Sequence, residues 1–561
     1  MSTFLTGYII FSIIILGLFN YMIRKRRDVA SRQEQERTES HHPAASLPQQ
    51  EMQTGQKQQE AQLGQSRTKI VVTIMLGAFV AILNQTLINV ALPHMMSDFN
   101  VETSTIQWLV TGYMLVNGVL IPISPFLIAK FPTKKLFLSG MAFFTVGALI
   151  CSFAPSFAVI LTGRLIQAVG AGIIMQLMMV IMLSIFPPEK RGVAMGTVGI
   201  AMMFAPAVGP TLSGWLVEHY SWRLLFDIVL PFAIIDMVLA SLWMKNTPKT
   251  AKPTLDVRGA VYSTLGFGGV LYGFSEAGSN GWGSAEVAIS IAIGLIFIIL
   301  FTWRCFTVEQ PILNLRVFKY NIFTLTTIIG CVLNMALFAA MVLLPVYLQN
   351  IRGFTPLDSG LLLLPGAIVM AIMSPISGMI FDRIGARWLA IVGLTITVVT
   401  TWEFSQLTLD TPYEHILWLY IFRMLGMSML SMTIMTAGLN QLPRHLYSHG
   451  TATANTLRQV ASSLGTAFLV TVMSNRAKFH AESYRNELTT DNPIATDIVA
   501  QLKRLIPSDE AVTQLLYGMV QQRSAVEGIN DAFIVATVLA LLALVLAFFL
   551  KGKKNNSASS S

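Results

Sequence analysis

Apolar residues occupy this chain in long runs separated by short polar loops. A first run at residues 4–23 precedes a basic sequence, Arg24–Arg27, and a polar tract follows to residue 68. From Lys69 onwards, roughly fourteen further runs follow, most of them long enough to cross a bilayer as an α-helix of about 20 residues. They lie at 70–92, 107–128, 136–153, 158–185, 193–217, 223–243, 259–277, 285–303, 322–347, 358–381, 388–407, 415–439, 450–473 and 530–550. The pattern predicts an all-α membrane protein.

The polar stretches divide the chain into segments. We predict an extra N-terminal transmembrane helix at residues 1–27, because its basic residues follow the apolar run, the reverse of a secretory signal. Residues 28–68 have too few apolar side chains to bury a core and are predicted to be a disordered cytoplasmic linker. Near the C-terminus, residues 475–528 form a long outer loop. Apolar spacing at 494–506 and 512–520 predicts short amphipathic helices on the outer surface there.

Composition supports a membrane protein and limits its partners. The chain is 53% hydrophobic and 12% charged, with a net charge of +9. Its Lys and Arg residues lie mostly in alternate short loops, which favours a plasma-membrane protein whose main-body N- and C-termini are cytoplasmic. This distribution explains the basic charge without nucleic acid. The three scattered cysteines indicate neither a disulfide framework nor a metal site, and we expect no cofactor.

Two features recur at a fixed distance. The basic loop at Pro125–Phe137 corresponds to Gly378–Ala390, an offset of about 253, and Arg164 corresponds to Arg423, an offset of about 259. Six helices at 69–245 therefore repeat at 321–561, and the two helices at 246–320 are inserted between the halves. Two parallel six-helix bundles are the layout of the major facilitator fold.

Several motifs resemble one subfamily of this fold, the fourteen-helix drug:proton antiporters of the EmrB/QacA type. Leu83–Pro93 is similar to its first-helix signature, Leu161–Gly172 to its fourth-helix motif, Phe186–Leu216 to its antiporter motif, and Gly378–Arg387 to its loop motif. The stretch Tyr347–Ala367 is also similar to the subfamily. Within it, the chain also resembles the lincomycin-resistance exporters. The resemblance implies a proton-coupled exporter, a transporter rather than an enzyme.

The chain departs from the subfamily at two places. Asn84 stands where the first-helix signature usually has an acidic residue. The first-half loop motif is degenerate, since Ala129 replaces its aspartate. The second-half copy keeps the complete motif, and we expect it to act as the conformational latch; its residues are Gly378, Asp382, Arg383, Gly385 and Arg387.

Arg164 is a charged residue within the apolar run at 158–185, where a charge is energetically unfavourable. Arg164 would cost about 2.5–3.5 kcal/mol at the bilayer centre, and it shares a helix face with Gln167. We expect that face to line a water-accessible cavity where Arg164 controls protonation; the alternative is a side chain that snorkels from near the helix end. The other candidates for proton coupling are Asp227, Asp236, Glu276, Glu403 and Arg423.

Among these acids, Asp236 is the deepest in its run and the preferred proton carrier, because burial makes a carboxylate easier to protonate. Asp227 lies nearer the outer boundary, where it is expected to cap a helix or pair with Arg223. The substrate cavity is expected to be apolar with a few polar groups, contributed by Asn84, Gln85, Asn89, Gln107, Trp108, Tyr113 and Gln167.

The fifth run has the composition of a bent, closely packed helix. Its prolines delete backbone donors and bend the helix, and small residues at every fourth position allow close contact at the seam between the halves. The residues concerned are Pro206, Gly209, Pro210 and Gly214.

No nucleotide-binding loop is present, so we expect an ion gradient to supply the energy. The favoured hypothesis is a monomeric exporter of hydrophobic or cationic small molecules that exchanges them for protons by alternating access. Two alternatives remain open: a dedicated transporter of one metabolite or lipid precursor, and a membrane sensor that does not transport.

Overall fold

The computed structural model describes residues 49–245, 254, 256–487, 501–502 and 508–550, and these residues form helices without a β-strand. The first six long helices are α1 (Gln49–Phe99), α2 (Trp108–Lys130), α3 (Thr133–Ser152), α4 (Phe157–Ile185), α5 (Arg191–His219) and α6 (Val229–Trp243). Two more follow, α7 (Val257–Asn280) and α8 (Ala285–Thr307). The last six are α9 (Asn321–Val346), α10 (Pro356–Ile384), α11 (Ala386–Glu403), α12 (Tyr413–Leu439), α13 (Tyr447–Glu487) and α14 (Asp509–Ala547).

Each of the fourteen predicted apolar runs coincides with one of these helices, which confirms the all-α fold class. Twelve helices in the described part of the chain are long and apolar enough to cross a membrane. The two outside that set, α7 and α13, are richer in polar residues. A helix satisfies its own backbone hydrogen bonds, which hydrocarbon cannot do, so apolar runs of this length fold as helices.

The chain separates into two compact units, Met1–Arg67 and Thr68–Ser561. Within the first unit the structure describes residues 49–67 as part of α1, although residues 28–68 are predicted to be a disordered linker. That prediction is wrong at least from Gln49 onwards. The stretch is rich in Gln, a residue that favours a helix even without a core to bury. The predicted N-terminal transmembrane helix lies outside the described residues.

The predicted outer loop is partly wrong as well. Helix α13 continues to Glu487 and α14 begins at Asp509, so most of 475–528 extends the last two helices. Residues 512–520, predicted to be a separate amphipathic helix, are the second to fourth turns of α14. Of the other predicted helix, 494–506, only residues 501–502 are described. The two extensions pair through their charges: Arg476 contacts Asp531 at 2.5 Å, and His480 lies between Asp531 and Glu527.

Helices from the two halves meet along two antiparallel seams. Helix α5 packs along α10, and α2 packs against α13. The inserted helix α7 contacts both α2 and α13, and α8 packs on α7. We call the end of the bundle that holds the α2–α3, α4–α5, α10–α11 and α12–α13 loops the basic end, after the Lys and Arg residues in those loops.

Candidate functional site

Arg164 lies inside the first half, where α1, α2 and α4 meet. Its side chain is fully buried, at 0% exposure. Nη1 donates to Asn84 Oδ1 at 2.7 Å and to Gln167 Oε1 at 3.0 Å, and Nε donates to the Leu109 carbonyl at 3.3 Å. The guanidinium stacks over the Tyr113 ring, 4.3 Å from its centroid. Four of the predicted site residues therefore form one cluster.

The expected water-accessible cavity at this face is wrong for the conformation described. Arg164 and Gln167 are both at 0% exposure, because α1 and α2 cover this face of α4. The snorkelling alternative is wrong as well, since the side chain points into the bundle. Arg164 Nη2 and Gln167 Nε2 are buried without a hydrogen-bond partner in the described part of the chain. The cluster thus holds a cation whose described partners are all neutral.

Replacing Asn84 by aspartate is expected to stabilise the protein. The substitution keeps the oxygen that accepts from Arg164 and adds the missing negative charge, and an uncompensated buried charge costs about 3–5 kcal/mol. After the desolvation of the new carboxylate, we expect a net gain on the order of 1–2 kcal/mol, measured as a higher thermal midpoint in detergent. Asn89→Asp, at an exposed position of the same helix, is the control. A thermal midpoint that falls in Asn84→Asp but not in Asn89→Asp would contradict this account.

Arg423 is the second-half counterpart of Arg164. It is 2% exposed, donates to Thr401 Oγ1 at 3.0 Å and to the Ala336 carbonyl at 3.5 Å, and lies over Phe404. An offset of about 252, the separation of Pro93 and Pro345, places Ala336 opposite Asn84. Both halves therefore bury an arginine against the same position of their first helix. The repeat in the sequence predicts the correspondence of the two arginines but not that of their partners Asn84 and Ala336.

Asp236 is buried between α1, α3 and α6. It is at 0% exposure, and neither carboxylate oxygen has a hydrogen-bond partner among the described residues. The close approach depends on Gly77 of α1, where an added Cβ would lie 2.7 Å from Asp236 Oδ2. Phe137 and Met141 of α3 complete the pocket around Gly77. Gly77 precedes Asn84 by two helical turns, so Asp236 and the Arg164 cluster contact nearly the same face of α1.

The other predicted acids lie away from this cluster. Asp227 accepts a hydrogen bond from Ser152, whereas the expected partner Arg223 instead approaches Asp98 at 3.7 Å. Glu276 is half-buried near the end of α7. Glu403 ends α11 and lines a shallow surface pocket together with Asp410 and His415. Neither Glu276 nor Glu403 is brought to Arg164.

The predicted substrate residues separate into three groups. Asn84, Tyr113 and Gln167 belong to the buried Arg164 cluster. Gln85 and Asn89 are accessible and lie four residues apart on another face of α1. Gln107 is exposed at the start of α2, and Trp108 stacks on Tyr272 of the inserted helix α7, with 5.6 Å between ring centroids.

Helix α5 packs on both sides through small residues. Its prolines Pro206 and Pro210 lie inside one continuous helix. A Cβ at Gly209 would overlap Thr86 of α1, and Ser213 donates to the Leu87 carbonyl at 2.5 Å. Gly214 is different, since a Cβ there would meet nothing within 4 Å. Close packing is therefore the role of Gly209 and not of Gly214.

The opposite face of α5 meets α10 across the seam between the halves. A Cβ at Gly192 would overlap the carbonyl oxygen of Gly378, and one at Gly196 would lie 2.5 Å from the Ser374 carbonyl. Of these four residues, only Gly378 is among those predicted from the sequence. The four-residue spacing of the two α5 glycines is a signal that could have identified this second face.

The loop motif of the second half ties the two halves together at the basic end. Asp382 Oδ1 accepts from the Gly192 amide at 2.8 Å and Oδ2 from the Val193 amide at 3.1 Å. The carboxylate thus caps the N-terminus of α5, where the helix dipole favours a negative charge. Gly385, with φ of 85°, ends α10. Of the two motif arginines, Arg383 lies in the last turn of α10 and is exposed, and Arg387 lies in the first turn of α11 and is half-buried.

Two further bridges join the halves, and neither was predicted from the sequence. Arg191 is 2% exposed and donates to Asn440 Oδ1 and to the Tyr447 hydroxyl, both at 2.9 Å. Farther along the seam, Asn455 Nδ2 donates to Gln176 Oε1 at 3.1 Å. Only the fold brings these polar residues, about 250 or more positions apart, into contact.

Two six-helix halves joined along a seam define a multi-pass membrane transporter. The sequence profile of the Major Facilitator Superfamily matches residues 74–466. The chain belongs to this family. It is 50% identical to the MFS-type transporter YhcA of Bacillus subtilis, over 86% of this chain and 92% of YhcA.

Further relatives have names that state a function. The chain is 40% identical to the lincomycin resistance protein LmrB of Bacillus subtilis, over 86% of this chain and 96% of LmrB. It is similar in fold to the human organic anion transporter MFSD10, with a TM-score of 0.58 and 12% identity, over 86% of this chain and 99% of MFSD10. At that identity the second comparison supports the fold alone.

Proposed function

We propose that this protein exports hydrophobic drugs across the cell membrane in exchange for protons, as a monomer that works by alternating access. The observation that carries proton coupling is Asp236, a carboxylate buried in the first half with neither oxygen hydrogen-bonded among the described residues. Drug export is supported by the resistance proteins among the relatives, such as LmrB.

The contacts at the basic end support alternating access. The cap on α5 by Asp382 and the bridges from Arg191 close this end in the conformation described. These contacts are a few hydrogen bonds between helices that pack through small residues. They can therefore break without the unfolding of a helix. The abundance of Lys and Arg in these loops supports a cytoplasmic location for this end and for both termini of the main body.

Proton coupling in this scheme begins at Asp236. A buried carboxylate without partners is held most easily in its neutral form, and ionisation requires water or a cation to reach it. Asp236 lies directly against the α1 backbone at Gly77, which has no side chain. A movement of α1 away from α6 would therefore admit water to the carboxylate. Arg164, two turns farther along the same face of α1, then disfavours a second positive charge nearby.

The coupling is tested in cells that produce the protein. Dissipating the proton gradient is expected to raise accumulation of an exported fluorescent drug to the level of cells without the protein. One proton moving across 100 mV supplies about 2.3 kcal/mol, enough for a roughly fifty-fold gradient of a neutral drug. Unchanged accumulation would refute the proposal. Export of a single compound in a transport panel would favour a dedicated transporter, and no transport at all would favour a sensor.

A further inference from the structure

Arg458 of α13 is a third guanidinium in the transmembrane region, and no site described above uses it. Its neighbours on the helix face the first half: Asn455 bonds to Gln176 of α4, and Gln459 Cγ lies 3.9 Å from the position of a Cβ on Gly118 of α2. Arg458 therefore lies at the seam between the two halves, where alternating access requires the exported molecule to pass.

A glycine makes room for this guanidinium. A Cβ at Gly330 of α9 would lie 2.7 Å from Arg458 Nε and 2.8 Å from Nη2. The side chain as a whole is partly exposed, but Nε is buried and has no hydrogen-bond partner among the described residues. The seam thus presents a cation whose Nε lacks a hydrogen-bond partner among the described residues, with the amide groups of Asn455 and Gln459 close to it along α13.

No described carboxylate of the protein neutralises the positive charge of Arg458. No ion pair of Arg458, Arg164 or Arg423 with a carboxylate occurs in the described part of the chain. Among the described residues, the one carboxylate at 0% exposure is that of Asp236, which lies against Gly77 of α1. A cation in an apolar interior attracts an anion strongly and repels another cation, because the low dielectric weakens screening.

We propose that Arg458 binds the acidic group of the exported molecule, so that this transporter prefers amphipathic anions such as hydrophobic carboxylic acids. The inference rests on the proposed export function and narrows its substrates: it replaces the cationic drugs expected from the sequence. The planar guanidinium can donate two parallel hydrogen bonds to a carboxylate.

The test compares three probes with one apolar skeleton: pyrenebutyrate, pyrenebutanol and pyrenebutylamine. Binding to the purified full chain is measured by energy transfer from its tryptophans, of which the sequence has nine. We expect the acid to bind at least about tenfold more tightly than the amine, the order of a charge-assisted hydrogen bond. This ratio is expected to fall to about one in Arg458→Gln and to persist in Arg458→Lys.

Arg444→Gln is the matched control, because it removes the same charge at an exposed position of the basic end. The ratio of acid to amine affinity compares ligands within one variant, so a general loss of folded protein does not imitate the result. Equal or tighter binding of the amine to the wild type, no saturable binding of the acid, or a preference that survives in Arg458→Gln would overturn the inference.

Transport in vesicles separates this inference from the proposed function. A pH gradient that drives uptake of all three probes equally would retain proton coupled export and refute the anion preference. Selective binding of the acid without any gradient-driven uptake would retain the role of Arg458 and refute proton coupling.

Discussion

Asp236→Asn is expected to abolish proton-driven accumulation while leaving the protein folded. Asparagine has nearly the shape of a protonated aspartate but takes up and releases no proton. In vesicles with a gradient equivalent to 100 mV, the wild type is expected to reach a roughly fifty-fold accumulation for one proton exchanged, and the variant a ratio near one. Because the neutral amide has no charge to bury, the thermal midpoint is expected to be equal to or above that of the wild type.

Asp227→Asn is the matched control for this experiment. The same chemical change occurs nine positions earlier, at a carboxylate that accepts a hydrogen bond from Ser152. We expect it to keep gradient-driven accumulation. Full accumulation in Asp236→Asn would show that the proton is carried elsewhere, and equal losses in both variants would show that transport responds to any change in this region.

Gly378→Ala is expected to open the basic end. The added Cβ would overlap the carbonyl oxygen of Gly192 and approach the Val193 amide to 2.9 Å. Since these are backbone atoms that no side-chain rotation can move, α5 and α10 must separate. Overpacking of this kind costs about 1–3 kcal/mol, which corresponds to a roughly 5- to 150-fold shift of a two-state equilibrium.

A cysteine at Thr451 reports this opening. Thr451 is at 0% exposure and lies between Tyr447 and Asn455, one turn from each, on the face of α13 that contacts the first half. The rate at which a maleimide labels Thr451→Cys is expected to rise in Gly378→Ala by a similar factor. Gly214→Ala is the control, because its Cβ would meet nothing within 4 Å. Equal labelling rates in the two variants would be incompatible with a latch at the α5–α10 seam.

Not every residue of the motifs that resemble the subfamily makes a close contact in the structure. The loop motif, conspicuous in the sequence, contains Asp382, which caps α5 across the seam. The antiporter motif, by contrast, contains Gly214, at which an added Cβ would meet nothing within 4 Å. Arg164 and Gln167 share a helix face as predicted, but which helices cover that face does not follow from a spacing of three residues. Burial of the pair depended on α1 and α2, which lie far from α4 in the sequence.

Hydropathy was sufficient to predict the membrane class and the positions of fourteen helices, because hydrocarbon leaves an apolar segment of about 20 residues no alternative to a helix. The repeat of six helices was predicted from the recurring basic loops and arginines. Neither pattern revealed that Asp382 reaches the N-terminus of α5, that Asp236 packs against Gly77, or that Arg458 faces the seam. Each of these contacts joins residues about 130 or more positions apart, and their proximity results from how the helices pack. Helix packing depends on the shapes of all the side chains at an interface together, which no single motif encodes.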